Sequence, residues 1–199
     1  TTAFNPDNWE VAINKFELKD SRFKYDATER AAPVGEFDPL HIRVDKIDIL
    51  ASNLRVVGDT LFGKVKHFAA KERCGFEVKN MQADISVSPV TSVCKNLVLQ
   101  TNNSRLEHYY AMHYRHFPDF EDYIHKVVMS GSINGSSVDF RDLAFFAPAL
   151  KNLPEVVKLS GEFRGTVDSL AAKNLYLTNG ITSIKGRMSM VGLPDVYTT

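Results

Sequence analysis

Residues 158–168 read KLSGEFRGTVD, and the alternation is almost perfect. Leu159, Gly161, Phe163, Gly165 and Val167 take one parity; Lys158, Ser160, Glu162, Arg164, Thr166 and Asp168 take the other. A period of two predicts a strand with one dry face and one wet face. Two of the five dry positions are glycine, although protein interiors fill to near-crystal density and glycine weakens a strand. Either each glycine marks a close approach of neighbouring layers, or glycines thin the wall of a curved sheet whose dry face shelters something other than protein.

The pattern recurs. Met129-Gly131-Ile133-Gly135 repeats it thirty residues upstream, and Ile184-Gly186-Met188-Met190 and Leu61-Gly63-Val65 are weaker relatives. A second motif, two alternating apolar residues, a small polar corner and another apolar residue, occurs as FELKDSRF, IDILASNL and LYLTNGITSI. Such self-similarity predicts a stacked, elongated architecture.

Outward from these motifs, alternation dominates the chain. Strand segments are expected at 16–25, 42–49, 54–57, 61–68, 76–82, 83–88, 92–101, 106–116, 127–135, 137–141, 156–168, 171–178 and 182–191, with Ser, Asn, Asp and Gly between them. Ile42 and Val44 share one parity and Ile47 and Ile49 the other, which places a bulge inside RVDKID. Helical signals are few. DLAFFAPALKNLP sets Leu143, Phe146, Ala147 and Leu150 on one face with Asp142 as N-cap, but Pro148 predicts two short turns or a kink. PDFEDYIHK predicts a second short helix from Pro118, with acidic residues in its first turn.

Of 199 residues, 24 are basic and 24 acidic. That balance argues against a nucleic-acid partner, whose footprint is usually basic. No apolar run is long enough for a membrane-spanning helix. The chain opens on TTAFNPDNW and closes on DVYTT, and is read as one segment, 1–199, excised from a longer protein. Cys74 and Cys94 are expected as two separate, partly buried thiols, with a disulfide as the alternative. The stretch 108–125 holds His108, His113, His116 and His125 with Asp119, Glu121 and Asp122, but its spacing matches no zinc pattern. Asp45 and Asp48 stand out from no other acidic pair. NGSSVD lacks a nucleophile elbow, and GEFRG and NGITSIKG are too sparse for a phosphate loop. No catalytic residue, metal or cofactor is expected. Trp9 and the Tyr109-Tyr110 pair could stack on sugars, so a carbohydrate- or protein-binding β module is the alternative function.

The run VVKLSGEFRGTVDSLAAKNLYLTNGITSIKGRMSMVGLPDV, preceded by VDFRDLAFFAPALKNLP, resembles the TamB and AsmA-like superfamily of Gram-negative envelope proteins, in its Bacteroidota version. The likeness is carried by the G-x-φ-x-G-x-V-D strand, the KNLYL strand, the KGRMSMVGLPD ending and the DLAFFAPAL helix. It covers Gly131 to Asp195 and is best over 118–199, whereas 1–117 match only as repeated strand pairs. It implies a mainly β fold, an elongated, curved, taco-like groove of many short strands with one or two short helices. It implies a periplasmic location, in a protein held in the inner membrane by a region outside this chain. It also implies a role in supplying phospholipid to the outer membrane or in assembling it, with a barrel partner engaged by other regions.

Each acyl methylene favours leaving water by about 0.8 kcal/mol, so a sixteen-carbon tail carries on the order of 12 kcal/mol. A carrier must cover it nearly continuously. Met129, Ile133, Leu159, Phe163, Val167, Leu175, Leu177, Ile184, Met188 and Met190 are the expected groove lining, the methionines suiting a surface that adapts to sliding tails. No chemistry is expected, and exposed edge strands predict a tendency to self-associate.

Overall fold

A computed structural model describes residues 3, 5–153 and 155–192. The Leu193-Pro194-Asp195 ending and Pro154 of the quoted motifs lie outside the described residues, as do Thr1, Thr2 and Phe4 of the opening. The chain is mainly β. Ten strands follow one another: β1 (Val11–Asp26), β2 (His41–Val57), β3 (Thr60–Glu72), β4 (Glu77–Val87), β5 (Thr91–Thr101), β6 (Arg105–His113), β7 (Val128–Asp139), β8 (Val156–Gly165), β9 (Ser169–Thr178) and β10 (Ser183–Val191). Each pairs antiparallel with its sequence neighbours in one sheet of order β1 to β10, leaving β1 and β10 as its edges. This meander is what short polar connections between alternating segments favour, since a parallel pair would need a long crossover.

The strands are longer than their alternating pieces. Asp20, Lys46, Asn53, Asn96 and Asn174 all have positive φ (43° to 55°), and the register shifts beside each of them. These are β-bulges: one extra residue in the left-handed region, where Asn and Asp are least penalised. Lys46 is the bulge expected inside RVDKID. The corners of FELKDSRF and IDILASNL are therefore bulges inside β1 and β2, and only that of LYLTNGITSI is a turn, with the Asn179 side chain accepting from the Ile181 and Thr182 amides. The segments 76–82 and 83–88 likewise merge into β4, and 127–135 and 137–141 into β7 across a bulge at Gly135 (φ 63°).

Two expected strands stop early. β6 ends at His113, so His116 is not on it. β8 ends at Gly165, and Val167 sits in the following turn, its amide donating to the Ile124 carbonyl at 3.1 Å. Both helical regions are short. A 3-10 turn (Phe117–Asp122) leads into α1 (Tyr123–Lys126), and α2 (Phe140–Leu143) is separated by the residues before Pro148 from a second 3-10 turn (Pro148–Asn152). The N-cap of α2 is Asp139, which accepts from the Arg141 amide. Asp142 is instead buried one turn in. Its carboxylate accepts from the Thr101 hydroxyl, from the Asn103 amide (3.0 Å) and side chain (2.8 Å), and from the Ser104 amide (2.9 Å) and hydroxyl (2.8 Å). It thereby ties α2 to the β5–β6 turn.

Full burial falls mainly on small side chains: Ala51, Ala83 and Ala111 on the sheet, with Val127 before β7. The accessible surface, 12713 Å², is about a third more than a compact chain of this mass exposes. The larger packed groups sit at the two ends of the strands. At one end Tyr114 stacks with Phe117 and Phe120, and Phe120 with Tyr123. At the other, Phe76 meets Phe145 and Phe146, and Phe37 meets Phe146.

Candidate functional site: an apolar face across ten strands

Paired residues of neighbouring strands share a face, so the register sorts the sheet into two chemistries. Val11, Val56, Leu61, Val87, Ser92, Met112, Met129, Gly165, Leu170 and Met190 form one unbroken row through all ten strands. Beside it run Gly63, Ile85, Cys94, Tyr110, Gly131, Phe163, Ala172 and Met188 from β3 to β10. Toward the other end of the strands, Leu18, Ile49, Phe68, Met81, Leu99 and Leu106 form a third row, continued past a bulge by Ser136, Leu159, Leu177 and Ile184. The opposite face carries Lys15, Ser52, Lys64, Asp84, Lys95, Tyr109, Ser132, Glu162 and Lys173 in a single row.

The apolar face is not covered as a sandwich interior is. Ile49, Phe68, Met81, Leu99, Leu106, Tyr110, Met112, Met129 and Phe163 are all only half-buried, and the described strands form one sheet. Three aromatic side chains close in from the strand ends. The Tyr123 hydroxyl of α1 meets the Tyr110 hydroxyl at 2.9 Å and the Met112 sulfur at 3.7 Å. Phe145 and Phe146 reach Phe76 from the opposite end. Burial pushes the Tyr110 phenol far above its ordinary range, with Tyr123 adding to the effect, so Tyr110 stays protonated.

The glycines answer to their neighbours. The two best copies of the repeat are adjacent antiparallel strands, and three of their four glycines lie beside a bulky residue of the other copy: Met129 opposite Gly165, Gly131 opposite Phe163, Ile133 opposite Gly161, with Gly135 left at the bulge. The Phe163 ring lies over Gly131, filling the space a Cβ there would take, and stacks with Tyr110 at 6.4 Å. A Cβ at Gly165 would overlap the Ser169 carbonyl, and its φ of 147° excludes other residues as well. At these two positions glycine reflects close approach of protein to protein; neither leaves an empty space.

Of the ten residues expected to line a groove, nine share the apolar face: Met129 and Met190 in the first row, Phe163 and Met188 in the second, Leu159, Leu177 and Ile184 in the third, and Ile133 and Leu175 between. Val167 does not, because β8 has already ended. Half of the face comes from β1 to β6, including Ile49, Phe68, Met81 and Leu99, which sequence reasoning did not single out. Their alternation was the available signal.

Other sequence candidates fall apart in space. Tyr109 and Tyr110 point to opposite faces, so they cannot form one stacking platform. Trp9 is 51 % exposed, its amide and carbonyl held by the Asn5 side chain. His108 sits on the apolar face opposite Ile133, whereas His113 contacts Ser130 and Thr91 from the other face. His116 and His125 pair with Asp119 and Asp122 near α1. No metal-holding group of three such side chains forms among the described residues. Asp45 is held by Arg22 and Arg43, and Asp48 accepts from the Asp20 amide at the β1 bulge. Cys74 and Cys94 are free thiols. Burial raises both, Cys74 to about 11, so neither is a ready nucleophile. A hollow of about 830 Å³ lies on the polar face over β6–β10.

No family model, no curated protein and no solved structure matches this chain.

Proposed function

We propose that the apolar face shelters lipid acyl chains, and that the sheet curls lengthwise around them into a groove. The observation that carries this reading is the row from Val11 to Met190, apolar at every position but Ser92, flanked by large side chains that no second sheet covers among the described residues. Nine interstrand spacings of about 4.8 Å make each full row about 43 Å long, more than twice a sixteen-carbon tail. A tail lying along the rows keeps apolar cover while it slides, so transport is diffusion along the face and needs no catalytic group. The aromatic groups at the two strand ends then act as lips that narrow the opening. Met112, Met129, Met188 and Met190, all on this face, adapt to chains of different shape.

The likeness of residues 131–195 to the TamB and AsmA-like proteins adds a setting. The chain would be one section of a periplasmic trough delivering phospholipid toward the outer membrane, its anchor and barrel partner lying in other regions. The test is direct. The purified protein is extracted with organic solvent and examined for phospholipid by mass spectrometry, and the delipidated protein is titrated with a fluorescent fatty acid. Co-purified phospholipid and saturable uptake are expected. A folded, delipidated protein that takes up no fatty acid refutes the proposal.

A further inference from the structure

The hollow on the polar face is a site of a different kind. Its wall is built from Ser130 and Ser132 of β7, Glu162 and Arg164 of β8, Ala171 and Lys173 of β9 and Arg187 and Ser189 of β10, with Tyr109 of β6 at one side and the intervening residues adding to its floor. Three cations enter it. Lys173 is already tied to Glu162 at 3.0 Å. Arg164 and Arg187 have no carboxylate within ion-pair distance among the described residues. They stand on β8 and β10, two strands apart; Arg164 pairs through Ala171 with Ser189, and Arg187 lies two residues further along β10, so the two backbones are about 12 Å apart, within reach of two arginine side chains. Ser130, Ser132 and Ser189 supply hydroxyl donors on the same wall. In a chain of zero net charge, this hollow has a local excess of two positive charges.

We propose that this hollow binds a phosphate ester, with Arg164 and Arg187 clamping the phosphate and Tyr109 and Ala171 flanking its organic part. Guanidinium groups match phosphate oxygens bidentately, and two of them balance the charge of a monoester near neutral pH. The site lies across the backbone from the apolar face and does not depend on what that face binds. The ester could come from a soluble sugar phosphate or from a lipid headgroup, which share this chemistry.

The test uses calorimetry with glucose 6-phosphate against glucose, and co-sedimentation with vesicles of phosphatidic acid in phosphatidylcholine against phosphatidylcholine alone. Arg164→Gln, Arg187→Gln and the double variant are compared with wild type and with Lys64→Gln, a remote control on the same face. The arginines are exposed, so all variants should keep the wild-type circular dichroism spectrum. Each single change should weaken binding at least about tenfold, the worth of one charged hydrogen bond, the double change should abolish it, and Lys64→Gln should leave it intact. Arginine-dependent binding of glucose 6-phosphate supports a soluble ester. Arginine-dependent binding of phosphatidic acid vesicles alone supports a headgroup. Binding of neither probe, or equal binding by the double variant, overturns the proposal.

Discussion

Phe163 is where an open face and a closed core make opposite predictions. Its ring is half-buried, lying over Gly131 and beside Tyr110. Full truncation of a core phenylalanine costs about 3–5 kcal/mol. With part of the ring exposed, Phe163→Ala should cost about 2–3 kcal/mol, or about 4–12 °C in melting temperature for a domain of this size. Phe163→Arg loses the same contacts, but on an open face its guanidinium reaches water along its aliphatic stem. It should therefore melt within a few degrees of Phe163→Ala while holding less phospholipid, because a charge now sits in the path of the tails. In a closed core the same change would bury an unpaired charge and unfold the protein. Thermal melts followed by circular dichroism, with phospholipid quantified by mass spectrometry on the same samples, separate the cases. An unfolded Phe163→Arg protein refutes the open face; a folded one with unchanged lipid refutes the sheltering role.

Gly165→Ala should destabilise by roughly 3 kcal/mol, since its φ of 147° and the Ser169 carbonyl both exclude a Cβ, whereas Gly58→Ala, where a Cβ meets nothing within 4 Å, should cost about 1 kcal/mol; equal denaturation midpoints would contradict the close approach. Burial opposes ionisation of Asp142, but hydrogen bonds from Thr101, Asn103 and Ser104 outweigh it and hold its pKa below the usual carboxylate range. Its contribution is then present above about pH 4 and fades as pH falls through the lower folded value, and Asp142→Ala, with its stranded donors, should lose about 3 kcal/mol and flatten that acid limb in urea melts. The Asp38 carboxylate, 2.8 Å from His41, raises the imidazole pKa despite desolvation; this stabilisation is complete below about pH 6.5 and is lost as pH rises through the folded value. NMR titration of His41 should give a pKa above that of a free histidine and return toward it in Asp38→Asn, and an unshifted value in the wild type would remove the pair from the account.

The amino-acid order by itself fixed the strand character, because a period of two is a local property. Lys158-Leu159-Ser160 already separates a wet side from a dry one, and the same parity placed nine of the ten expected lining residues on a common apolar face. It also marked Pro148 as the break between two short turns. Three things needed the tertiary structure. The polar corners at Asp20 and Asn53 have turn chemistry, yet pairing with a neighbour carries the strand straight through them, since one left-handed residue is cheaper than ending a ladder of hydrogen bonds. The end of β8 before Val167 was set by docking of the turn on Ile124, a contact 43 residues away in sequence. The repeat glycines are explained only by the strand beside them. Gly131 and Phe163 are a complementary pair across β7 and β8, and that complementarity exists once register is set.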